Sequence, residues 1–148
     1  MTVVERFLKL VSYPTTSDEA SEMCPSTARQ LALAQELVRQ MQDMGIADAR
    51  VDKDGYVYGT VPANCEKDIP VYGLIAHMDT APDASGEGVS PILHENYDGR
   101  DVTLPATGMV MKVSTFPFLA DLKGETLITT DGTTLLLSLI HISEPTRP

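Results

Sequence analysis

Cysteine is scarce in this chain. Cys24 and Cys65 are the only two in 148 residues. Neither belongs to a Cys-x-x-Cys pair, and neither has histidine neighbours at metal-ligand spacing. Two free thiols in a reducing cytosol account for them. Basic residues are also few, 11 against 21 acidic ones, for a net charge of -10. Such a balance repels a phosphate backbone and anionic lipid, which argues against nucleic-acid and membrane partners. The acidic residues are scattered rather than run together, so they serve solubility and do not form an acidic tail. No apolar run approaches the length of a membrane span. The opening MTVVERFLKLVSYP carries charges inside its apolar stretch and has no small-residue cleavage site, so it is not a secretory signal. These absences together predict a soluble, cytoplasmic protein. What remains is ordinary globular composition, 43% hydrophobic and 22% charged, too apolar for a disordered chain and about the size of one domain.

Hydrophobic periodicity organises the first half. Val3, Val4, Phe7, Leu8 and Val11 recur at helical spacing, predicting a short amphipathic helix over residues 2–11 that ends before Pro14. Residues 15–23 are polar and turn-like. A second helix follows, with Ser26 or Thr27 as its cap, a core stripe of Leu33, Ala34, Leu37, Val38, Met41 and Met44, and Gly45 as its stop. The methionines as a group read as core filler. From Ala49 the period shortens to two. Arg50–Asp52 and Tyr56–Val61 flank Asp54-Gly55, a hairpin signal. After a polar turn over residues 64–68 comes Val71-Tyr72-Gly73-Leu74-Ile75-Ala76, a continuous apolar run suited to a strand buried on both faces of an α/β sheet. Residues 81–101, rich in Asp, Ser, Gly and Asn, read as a surface loop. A second hairpin is predicted from Thr126–Thr130, the Asp131-Gly132 turn and Thr133–Leu136. No internal repeat and no interdomain linker is visible.

The chemistry concentrates in His77-Met78-Asp79, at the carboxyl end of the apolar run. Open α/β sheets place their sites outside the carboxyl ends of strands. Positions i and i+2 share a side of an extended backbone, so His77 and Asp79 can meet. Two arrangements suit such a pair. The acid can orient the imidazole behind a metal, or both can ligate the metal directly. By itself His-x-Asp is a two-residue pattern of low specificity, and the strand context is what lifts it. His94, in PILHENYDG, reads as a solvated loop residue, and Asp83 as a turn residue bonding its own backbone.

The segments VYGLIAHMDTAPDASGEGV, PILHENYDG and GETLITTDGTTLL, with the opening MTVVERFLKLVSYPTTSDEASEMCPST, resemble the peptidase T (tripeptide aminopeptidase) family of co-catalytic zinc exopeptidases. The resemblance runs from residue 1 to about 136. It implies an α/β fold, the N-terminal part of a catalytic domain with a mixed sheet flanked by helices. It also implies two zinc ions per intact site, and release of the N-terminal residue from tripeptides. His77 matches the family's first zinc-ligand histidine. Asp79 matches the acid that orients it, which the family counts as catalytic. The mechanism so implied is metal-assisted hydrolysis, with a shared water made hydroxide-like near neutral pH. A related zinc dipeptidase, carboxypeptidase or deacylase, or a non-catalytic fold fragment, shares enough of the pattern to remain as an alternative.

The resemblance ends at Leu136. Family members continue into a Gly-x-Asp-Asp loop, whereas residues 137–148 read LSLIHISEPTRP. The expected division is therefore a partial, truncated catalytic domain over 1–136 and a foreign tail over 137–148, in which His141 has no role. The bridging acid, the general base and the last histidine ligand are missing from the chain, so it is not expected to hold zinc tightly.

Overall fold

The computed structural model describes residues 1–134 and 136. Its first element, helix α1 (Val3–Leu10), is set by a reciprocal cap. Thr2 Oγ1 accepts from the Glu5 amide at 3.1 Å, and Glu5 Oε2 accepts from the Thr2 amide at 2.6 Å. These bonds to the charged form hold the Glu5 carboxyl below its usual value. The helix stops at Leu10, a few residues ahead of Pro14. Only Val11 of the predicted stripe is buried, while Val3 and Val4 face solvent.

Helix α2 (Arg29–Asp43) begins later than predicted, with Ala28 at its N-cap and no side-chain cap. Ser26 and Thr27 are engaged elsewhere. Ser26 Oγ takes bonds from the Asp18 amide and Gln30 Nε2, and the Thr27 hydroxyl donates to the Thr16 carbonyl. The C-terminal end follows expectation. Gly45 sits at φ +92°, its amide bonds Gln42 O, and the Ile46 amide bonds Met41 O. That pair of bonds is the Schellman closure, which needs a left-handed residue at the position Gly45 holds. The buried face is more polar than the apolar stripe predicts. Leu33 and Ala34 are buried, but so are Gln30, Glu36 and Gln40, whereas Met44 is exposed. Glu36 tolerates burial because Arg39 reaches both its oxygens, at 2.7 and 3.1 Å, and Gln40 Nε2 donates at 2.7 Å. Met1, Met23 and Met109 are also exposed, so the methionines are not core filler as a group.

The first hairpin forms where Asp54-Gly55 places it. Strands β1 (Arg50–Val51) and β2 (Val57–Tyr58) pair antiparallel, Arg50 opposite Tyr58. Asp52 Oδ1 accepts from the Asp54 and Tyr56 amides, and Gly55 turns the loop at φ +86°. Helix α2 packs on this hairpin. Both cysteines are exposed and unbridged.

Strands β3 (Ile92–His94), β4 (Val102–Thr103), β5 (Val110–Met111) and β6 (Leu127–Thr129), with the short helix α3 (Phe118–Asp121), complete the elements. β4 pairs with β5 and β3 with β6, both antiparallel. Two expectations fail here. Residues 81–101 are not loop throughout, because Ile92–His94 is a strand. Among the described residues the hairpin expected over 126–136 is not formed, and Leu127–Thr129 pairs back to β3 instead. Leu135, one residue of the expected second arm, lies outside the described residues. Residues 131–134 form a turn instead, in which Asp131 Oδ1 accepts from the Thr133 amide at 2.8 Å and its hydroxyl at 2.6 Å. Those two bonds hold the Asp131 carboxyl below the usual range.

The described residues divide into two compact units. One spans Thr15–Asp79, and the other joins Met1–Pro14 to the chain from Thr80 onward. The second holds an apolar core of Tyr97, Val102, Leu104 and Leu119, bordered by Met111, Val113, Leu122 and Leu127. Burial pushes the Tyr97 phenol up, helped by Asp98 and Asp101. Among the described residues the strands form three separate two-stranded ladders, a small mixed α/β assembly rather than one mixed sheet flanked by helices.

Candidate active-site pair

His77 and Asp79 lie at the end of the Thr15–Asp79 unit, on a stretch without helix or strand. The backbone leading to them is not the buried strand that its composition predicts. Val71, Tyr72, Leu74 and Ile75 are 98%, 84%, 99% and 98% exposed, and no described strand pairs with them. An apolar run becomes a buried strand only when neighbours take up its N–H and C=O groups and cover its faces. Among the described residues neither happens.

The two side chains nevertheless meet. His77 Nδ1 lies 3.0 Å from Asp79 Oδ1, with 34% and 42% of the side chains exposed. A carboxylate at Nδ1 favours the tautomer with its proton there, which leaves the Nε2 lone pair free to bind a metal or accept a proton. An acid at this distance from Nδ1 is one of the two arrangements open to a His-x-Asp pair.

A zinc site is a larger construction, with at least three protein ligands. Among the described residues no group of three or more His, Cys, Asp or Glu side chains could hold a metal ion. The donor chemistry of His77 and Asp79 therefore fits one ligand and its orienting partner, and does not fit a complete site.

The remaining candidates separate clearly. His94 is not a solvated loop residue. It ends β3, is partly buried, and its Nε2 lies 3.0 Å from Thr129 Oγ1 on β6. The short apolar run Ile92-Leu93 ahead of it was the available signal, hidden by the polar residues around it. Asp83 is exposed in a turn, and His141 is outside the described residues. No described helix is long and apolar enough to cross a membrane.

No protein-family profile matches the chain. Individual proteins do. It is 53% identical over 135 residues to peptidase T of Clostridium novyi (strain NT), a match covering 90% of the chain and 33% of that protein. Peptidase T of Caldanaerobacter subterraneus is 52% identical over 135 residues, and that of Aliivibrio salmonicida 49% over 134, each covering the same shares. The chain is similar to peptidase T over nine-tenths of its own length. It spans about a third of the length of these curated relatives. A match covering 90% of the chain includes its middle, and with it His77 and Asp79, whichever end it leaves out. The expected family resemblance is thus carried by nine-tenths of the sequence and not by the short motif alone.

Proposed function

We propose that the chain is the N-terminal part of a cytoplasmic zinc aminopeptidase that removes the first residue from tripeptides, ending in a foreign segment over residues 137–148. Identity of 49–53% to proteins named peptidase T supports this, and the 3.0 Å contact between His77 and Asp79 agrees with it. In the complete protein His77 supplies one zinc ligand through Nε2. Asp79 is its positioning residue, fixing the tautomer and orientation of the ring. Zinc, when bound, polarises a carbonyl and acidifies a water. The described residues supply too few ligands for that chemistry, so no catalytic step is assigned to the chain by itself.

The pair is tested in the full-length enzyme. Asp79→Asn keeps the shape of the side chain but loses the charge behind the imidazole. It is expected to lower zinc affinity or tripeptide turnover by about 10- to 100-fold, and His77→Ala to cost more. Zinc titration by calorimetry beside a tripeptide hydrolysis assay reads both, and unchanged zinc content and kinetics in Asp79→Asn would remove Asp79 from the site. The 148-residue chain is expected neither to turn over tripeptides nor to hold zinc tightly. Sub-micromolar zinc binding with measurable turnover would overturn that.

A further inference from the structure

No further inference is drawn: the strongest candidate, the exposed apolar segment Val71–Ala76 leading to His77 in the Thr15–Asp79 unit, is an unpartnered face, and nothing in the structure shows what covers it.

Discussion

Leu119 is the largest fully buried side chain among the described residues, at 0% exposure. It sits on the four-residue helix α3 and packs with Tyr97, Val102 and Leu104. Leu119→Ala removes methyl and methine groups worth about 0.8 kcal/mol each, so roughly 2.4 kcal/mol of transfer free energy is lost. A cavity term adds to this, and buried Leu→Ala changes span about 2–5 kcal/mol. The hole is bordered by Met111, Val113, Leu122 and Leu127, which are only partly buried and so can relax into it. Relaxation holds the total near the lower half of the range, about 3 kcal/mol. With urea slopes of about 1–3 kcal/mol/M, the midpoint falls by roughly 1–3 M. Far-UV circular dichroism follows the transition, and tyrosine fluorescence follows it in parallel, since the chain has five tyrosines and no tryptophan and Tyr97 belongs to this core. Leu93→Ala is the control, because Leu93 is 41% exposed on β3 and its truncation leaves little cavity. If the two variants lose the same stability, the apolar core of this unit is not where the structure puts it.

Acid should weaken the 131–134 turn. The Asp131 carboxyl is held down by its bonds from Thr133, so its contribution is present above the ordinary aspartate value of about 3.9. That contribution is lost as pH falls through the lower folded value. Asp131→Asn should flatten the pH dependence of stability below about pH 4, and a parallel profile would refute the assignment. Gly132 and Gly45 both lie at positive φ, +101° and +92°, but an added Cβ at Gly132 meets the Thr107 side chain and Leu104, whereas at Gly45 it meets open space. Alanine should therefore cost about 1–2 kcal/mol at Gly45 and clearly more at Gly132, read as the difference in urea midpoints; equal costs would contradict the packing of the 131–134 turn on Leu104. Finally, the exposed run 71–76 has no charge to deter edge-to-edge association. Ile75→Lys, at a residue 98% exposed, should raise the soluble fraction on expression and lower light scattering without altering circular dichroism. Unchanged scattering would show that association arises elsewhere.

Much of the Thr15–Asp79 unit was legible in the sequence because its signals are local. The 3.6-residue period of α2, the left-handed residue its closure needs at Gly45, and the Asp54-Gly55 loop between β1 and β2 all depend on residues within a few positions of one another. The same holds for His77 and Asp79, since a two-residue spacing on extended backbone puts side chains on one side, and they do meet at 3.0 Å. The caps were less legible. Ser26 and Thr27 are good cap residues by type, but Asp18 and Thr16 compete for their side chains, and that competition exists only after the chain folds back.

What tertiary structure alone decided is which strands find partners. Thr126–Thr130 and Thr133–Leu136 look like the arms of a hairpin, yet β6 pairs with β3, and His94 meets Thr129 across 35 positions. Pairing at such distance depends on what else the chain brings near, and periodicity is silent on that. The core of Tyr97, Val102, Leu104 and Leu119 is drawn from three separate stretches, around Tyr97, Val102–Leu104 and Leu119, none of which carries a helical stripe of its own. Val71–Ala76 shows the converse. Its composition specifies a strand buried on both faces, but burial belongs to the neighbours as much as to the strand, and among the described residues none pairs with it.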